Sequence, residues 1–218
     1  YPRAVKERNL RALREHARFR ADERDLCRAD LEPLLAGVEW VFHQAAQAGV
    51  RASWGRDFEI YALHNVLATQ RLLEASRDLG VRRFVYASSS SVYGDTTDLP
   101  MREQSLPRPI SPYGVTKLAA EHLCWLYWKN YGLSTASLRY FTVYGPRQRP
   151  DMAMHRFLKG ALTGSVITLY DDGEQTRDFT YVSDVVAANV AAAERAEGGE
   201  VFNIGGGSQV SINQVLAT

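Results

Sequence analysis

The sequence predicts an α/β fold, a doubly wound parallel sheet with a smaller C-terminal lobe, on three observations. Short apolar runs alternate with segments of helical periodicity, the pattern of β-α-β units laying down parallel strands. Three of these runs end in small or polar residues, so three strand ends point to one edge of the sheet. Past Gly145 the alternation breaks at Pro146 and Pro150, and the character of the chain changes.

Taken in order, Phe19 to Asp22 is a short segment ahead of a helix expected over Ala29 to Leu35. Val38 to His43 reads as a buried strand running into the small residues Ala45 and Ala46. Ile60, Leu63, Leu67, Leu72 and Leu73 fall near helical spacing, so a long helix is expected from Phe58 to Leu79, stopped by Gly80. Arg83 to Ala87 is the next strand, followed by four serines and a loop with Pro100, Pro107, Pro109 and Pro112. A helix from Tyr113 to about Tyr131 closes at Gly132, and Leu133 to Phe141 is the strand after it. Downstream, a helix is expected near Met152 to Leu162, a strand over Val166 to Tyr170, an alanine-rich helix over Val182 to Ala196 and a strand over Val201 to Ile204, with Ser211 capping a final helix. A dinucleotide-binding sheet opens with a strand, a glycine-rich turn and a helix. No such turn lies near Tyr1, so the first β-α-β unit is expected to be missing from this stretch of chain.

The 218 residues, 45% hydrophobic and 23% charged, suit a folded globular protein. A net charge of +1 without long runs of one sign argues against a nucleic-acid or membrane partner and for a small-molecule one. No apolar stretch approaches the ~20 residues of a membrane span, and Tyr1 to Arg20 is basic and polar, so a cytoplasmic location is expected. Cys27 and Cys124 lack metal or redox spacing and read as buried thiols, with no metal expected.

The sharpest chemical signal is Tyr113-Gly-Val-Thr-Lys117, which puts an ammonium beside a phenol on one helix face. A phenol titrates near 10, so a neighbouring cation is what allows it to take a proton near neutrality. With 11 tyrosines and four lysines the bare pattern arises by chance roughly 0.2 times in such a chain, and its setting raises its value. Ser88 to Ser91, then Val92-Tyr93-Gly94, follow a buried strand at the edge where open α/β sheets bind ligands. His43-Gln44-Ala45-Ala46 ends the preceding strand; the small residues admit a phosphate or ribose, while His43 itself reads as a packed core residue. Arg139-Tyr140-Phe141-Thr142-Val143-Tyr144-Gly145-Pro146 ends the next strand at the same edge. Arg147, Arg149 and Arg177 have the planar forks that match a diphosphate or a carboxylate.

Together these blocks resemble the extended short-chain dehydrogenase/reductase family, in particular its nucleoside-diphosphate-sugar epimerases and dehydratases. The likeness also includes F-x-x-D-x-x-D from Phe19 to Asp25, R-D-F-x-Y-V-x-D from Arg177 and F-N-I-G from Phe202. It implies a Rossmann-like NAD-binding domain over residues 1–145 and part of a nucleotide-sugar-binding lobe over 146–218, with Val182 to Ile204 returning to the main sheet. It further implies tightly bound, recycled NAD, with Asp22 at the adenine, Ala45 and Ala46 along the pyrophosphate path, and Tyr113, Lys117 and Tyr140 among the cofactor contacts. Ser89, Tyr113 and Lys117 would be catalytic, and Arg177 would bind the nucleotide diphosphate. A homodimer is expected, because members of the family pair the helices corresponding to Phe58 to Leu79 and Tyr113 to Tyr131.

Related dehydratases and decarboxylases carry a carboxyl group just before V-Y-G, where this chain has Ser90 and Ser91. The likeness therefore points to epimerisation at C4 of a UDP-sugar through a transient 4-keto intermediate. Thr142, A-A-Q-A-G-V-R from Ala45 and G-P-x-x-R-P-D-M from Gly145 are similar to the glucuronate branch. On that likeness Ser90, Ser91 and Thr142 would meet the C5 carboxylate, with Arg149 near the pocket mouth, converting UDP-glucuronate to UDP-galacturonate. UDP-glucose 4-epimerisation is the alternative; decarboxylation and a non-catalytic nucleotide-binding module are the remaining readings.

Overall fold

The structure, a computed structural model, describes every residue except Tyr170. Two compact units divide the chain, and both are discontinuous in sequence. The larger comprises Arg24–Phe141 and Ser183–Gly205; the smaller comprises Tyr1–Glu23, Thr142–Val182 and Gly206–Thr218. Against a boundary at 145/146, residues 142–145 and the first 23 residues group with the smaller unit.

The larger unit is built on four parallel strands, β1 (Trp40–His43), β2 (Arg83–Ser89), β3 (Thr135–Tyr140) and β7 (Glu200–Ile204), in the order β1-β2-β3-β7. Alternation along β2 shows why the sheet is covered twice. Phe84 and Tyr86 pack with Leu72 and Leu73 of α4 (Ala68–Asp78) and with Ala120, Cys124 and Tyr127 of α5 (Pro112–Tyr131). Val85 joins Ala136 and Leu138 of β3 against Ala192 and Ala193 of α7 (Val182–Arg195) and Ala196 just beyond it. Strands buried on both faces read as continuous apolar runs, and that is how β2 stands in the sequence, with Phe84, Val85, Tyr86 and Ala87 in succession.

Helix α5 starts where local chemistry dictates. Ser111 accepts the Gly114 N–H at 3.1 Å as N-cap, Pro112 takes the first helical position, and Gly132, at φ +73°, ends the helix in the left-handed conformation. The long helix expected over Phe58 to Leu79 is present but not uniform. α3 (Phe58–Tyr61) and α4 flank a π-helical stretch, Ala62–Leu67, which widens the turn where Asn65 enters the interior. The helix expected from Ala29 contracts to one turn, α2 (Glu32–Leu35), with Pro33 in its first turn.

The smaller unit holds α1 (Arg3–Arg14), which the sequence reading missed; none of its residues is buried, and Glu23 pairs with both Arg3 and Arg14. It also holds a parallel pair, β4 (Thr142–Tyr144) with β6 (Phe179–Tyr181), and an antiparallel pair, β5 (Thr176–Arg177) with β8 (Val210–Ser211). α6 (Ala153–Thr163) and α8 (Ile212–Ala217) complete it, the latter closed by a reciprocal Ser211/Gln214 capping box. The strand expected over Val166 to Tyr170 does not form across its described residues. Ile167 instead packs back on Gly160 of α6, where an added Cβ would stand 2.4 Å from its side chain; Tyr170 lies outside the described residues.

Candidate active site

The carboxyl ends of β1, β2 and β3 lie side by side in register, His43 with Tyr86 and Ser89 with Tyr140. This edge receives eight of the sequence-predicted residues, Ala45, Ala46, Ser89, Ser90, Ser91, Tyr113, Lys117 and Tyr140, all within the larger unit.

Lys117 is 3% exposed and points from α5 onto β2, its Nζ donating to the Ala87 carbonyl at 2.9 Å. The same Nζ lies 5.1 Å from the Tyr86 ring centroid and 5.9 Å from that of Tyr113. Burial pulls its pKa from 10.5 down to about 8. An ammonium has three donors, and the bond to Ala87 uses one, so two remain for the vicinal hydroxyls of a ribose. Tyr113 is half-buried at the start of α5, its ring edge-on to Tyr61 with centroids 6.3 Å apart. Tyr61 is fixed in turn by donating to the Gly49 carbonyl at 2.7 Å.

Gly114 sets how near Tyr113 comes to the serine turn. A Cβ there would lie 2.6 Å from the Ser91 carbonyl and 2.9 Å from Pro109 Cβ, so only glycine lets the first turn of α5 sit on that backbone. Ser89 ends β2 and caps a 3-10 turn, Ser90–Val92, by accepting the Ser91 N–H at 3.2 Å, which leaves its own hydroxyl proton to donate. Ser90 and Ser91 are half-buried and place hydroxyls, not carboxyl groups, on that turn.

Asn65, missed in the sequence, organises the neighbouring loop. From the π-helical stretch it accepts the Gln47 N–H at 2.7 Å and donates to the Gln47 carbonyl at 3.1 Å and to Thr116 Oγ1 at 3.0 Å. The chain just after Ala45 and Ala46 is thereby tied to α5. Tyr140 closes the edge by donating to Asn189 Oδ1 at 2.9 Å, with Gln44 bonded to both; burial raises its pKa. His43 is the packed core histidine the sequence suggests: 3% exposed, its Nε2 lies 2.9 Å from Thr69 Oγ1. That hydroxyl donates onward to the Asn65 carbonyl at 2.7 Å, so His43 is the donor to it. Burial first, and the Lys117 charge second, lower its pKa from 6.5 to about 4.

Beneath the site runs a buried polar network that the sequence reading also missed. Arg139 grips Glu121 through both Nε, at 3.1 Å, and Nη2, and Ser88 donates to the same carboxylate at 2.7 Å. Arg139 Nη1 donates to the Tyr93 hydroxyl at 2.7 Å, and Tyr93 donates to Asn203 Oδ1 at 2.7 Å. A signal for it existed: Arg139 is the one charge in a strand expected to be buried, and a buried charge requires a partner.

Asp22, Thr142, Arg149 and Arg177 fall in the smaller unit. Asp22 and Arg177 are exposed, Thr142 is half-buried, and Arg149 forms a two-pronged pair with Asp151 at 2.7 and 2.8 Å. Of the F-x-x-D-x-x-D block, Asp25 is the aspartate in the larger unit, where it accepts the Cys27 N–H at 2.9 Å. Cys124 is buried as expected; Cys27 is only partly so, because it lies in the irregular segment before α2. Among the described residues no helix is long and apolar enough to cross a membrane.

A family model described as the NAD dependent epimerase/dehydratase family matches residues 3–205. YtcB of Bacillus subtilis (strain 168), an uncharacterised UDP-glucose epimerase, is 48% identical over 217 residues, 99% of this chain and 68% of its own. A UDP-glucuronate 4-epimerase of Thermodesulfobacterium geofontis is 42% identical over 180 residues, 82% of this chain and 55% of its own. Among solved structures, the UDP-glucuronic acid 4-epimerase of Bacillus cereus with UDP-glucuronic acid and NAD superposes with a TM-score of 0.95 at 47% identity, over 99% of this chain and 69% of that one.

Proposed function

Since the chain belongs to the NAD-dependent epimerase/dehydratase family, we propose that its parent epimerises C4 of a UDP-sugar, converting UDP-glucuronate to UDP-galacturonate. The observation that carries the reading is the Tyr113 and Lys117 pair at the carboxyl edge of a parallel sheet, with the lysine buried against Ala87. Lys117 holds the nicotinamide ribose and supplies the positive charge that lets Tyr113 act near neutrality. Bound NAD supplies a reversible hydride acceptor at C4. Tyr113, as phenolate, takes the C4 hydroxyl proton while Ser89 donates to the same oxygen. Once the resulting 4-keto sugar has presented its other face, Tyr113 would give the proton back to the C4 oxygen, so nothing is consumed.

Ser90 and Ser91 support epimerisation over dehydration or decarboxylation, because neither hydroxyl acts as an acid at C5 near neutrality. The uronate is preferred on sequence grounds: Thr142, Ser90 and Ser91 are assigned to its carboxylate, and a 4-keto uronate is a β-keto acid that loses carbon dioxide unless that group is held. For the adenine, Asp22 carries the sequence pattern, while Asp25 is the aspartate in the unit that bears the sheet; loss of retained NAD in Asp22→Ala or in Asp25→Ala decides between them. The similarity to YtcB favours UDP-glucose as a second reading. We also assign a homodimer, supported by the apolar residues Phe58, Ile60, Val115 and Leu126 exposed on the two long helical segments.

The test incubates the full-length parent with UDP-glucuronate, without added NAD, and separates the products by chromatography. UDP-galacturonate without UDP-pentose is the expected result; conversion of UDP-glucose alone overturns the uronate assignment.

A further inference from the structure

We infer that Arg139 is a positioning residue: by holding the Glu121 carboxylate it keeps that charge from pairing with Lys117, one turn earlier on the same helix face, so that the ammonium stays with Tyr113. Tyr113, Lys117 and Glu121 follow one another at intervals of four along α5, and side chains so spaced lie on one face. Lys117 and Glu121 both reach β2, and the Lys117 Nζ lies 5.9 Å from the Tyr113 ring centroid. Lys117 bonds Ala87 and Glu121 bonds Ser88, consecutive residues of β2.

Both charges are nearly dry, at 3% and 5% exposure, so a carboxylate one turn away that lost its own partner would be poorly screened from the lysine. Arg139 prevents this from the next strand. Its Cα is paired in register with Ser88, its guanidinium grips Glu121, and Tyr93 and the Glu103 carbonyl hold its remaining nitrogen at 2.7 and 3.2 Å. A guanidinium stays charged at every pH of interest, so the clasp does not open by titration.

The remaining groups around Lys117 leave it no carboxylate partner among the described residues. From α5 itself come Tyr113 and Cys124, the thiol pushed well up by burial and hence neutral. β2 offers the phenol of Tyr86, also held neutral by burial. β1 offers His43, kept neutral by burial, and the charged side chain of β3, Arg139, is engaged with Glu121. The π-helical stretch and the serine turn contribute Asn65 and hydroxyls, and α3 contributes Tyr61 against Tyr113.

The effect on turnover rests on the roles proposed above for Tyr113 and Lys117, so the first readout is made without substrate. The chain has four lysines, which makes the 13Cε signal of Lys117 assignable by its absence in Lys117→Met. The full chain is titrated by NMR as wild type, Arg139→Met, Glu121→Gln and the double variant, with folding checked by thermal melting.

Lys117 is expected to titrate near 8 in the wild type. In Arg139→Met its proton affinity should rise about tenfold or more, the scale of one buried charge contact. In Glu121→Gln it should fall, because Arg139 is then the uncompensated charge, and in the double variant it should return close to the wild type. No movement in either folded single variant, or movement of both in the same direction, overturns the inference; if Arg139→Met does not fold, the fall in Glu121→Gln alone decides.

With the parent enzyme, the acid limb of the kcat profile should move to higher pH in Arg139→Met while KM for the sugar stays within about twofold. A shifted titration with an unshifted limb overturns the link to Tyr113. Absence of turnover in the wild type overturns the proposed reaction and leaves the Lys117 titration to judge the clasp.

Discussion

At the scale of single residues, charge and burial divide the labour. Tyr113→Phe keeps the ring against Tyr61 and removes only the hydroxyl, the proposed proton carrier. It is expected to lower kcat of the parent enzyme by ~10²–10⁴, the usual worth of a positioned acid-base group, with KM little changed; steady-state kinetics would show it. His43 yields a prediction about acid. Its pKa is near 4 when folded and 6.5 when unfolded, so between these values the unfolded chain binds the extra proton. The stabilisation is fully present above pH 6.5 and lost as pH falls through 4, about 3 kcal/mol in all. Urea midpoints at pH 7 and pH 4.5 should therefore lie closer together in His43→Asn than in the wild type. Tyr113 and Lys117 were legible in the sequence because helical spacing alone places them together. Glu121 was not: a glutamate between alanine and histidine on a helix reads as a solvated charge, and only its partner on β3 reveals otherwise.

At the scale of elements, close approach decides more than propensity. Gly114→Ala should destabilise the chain by about 1–3 kcal/mol, since its methyl meets a backbone carbonyl that is itself part of the serine turn. Melting would detect this, and kcat of the parent should fall with it because Tyr113 is displaced. Helix ends with a stop or cap signal were read almost to the residue, as Gly132 and Ser211 show, whereas the Ser111 cap of α5 was not singled out. The π-helical stretch was hidden because one wider turn barely disturbs the spacing of Ile60, Leu63 and Leu67, and its reason, the inward Asn65, is tertiary. β4, β5, β6 and β8 are two or three residues long, too short for an alternating pattern to declare itself. The run from Val166 failed for the opposite reason: its composition suits a strand, yet it packs on its own helix.

For the whole molecule, the parallel sheet was legible because both its faces are covered, whereas the division into units depends on pairings far apart in sequence. The proposed homodimer is tested at this scale. Leu126→Glu places a charge on the exposed side of α5 and should shift the sedimentation of the full-length parent from dimer to monomer, while leaving the melting of each subunit within about 0.5 kcal/mol of wild type. The discontinuous larger unit has a further consequence, in time rather than in space. β3 ends at Tyr140 and its neighbour β7 begins at Glu200, so about sixty residues separate partners that lie side by side. A ribosome adding ~5–20 residues per second leaves that edge of β3 without its partner strand for several seconds. Throughout that interval the nascent chain carries an open strand edge, and chaperone demand during synthesis should peak there and end once Ile204 has emerged.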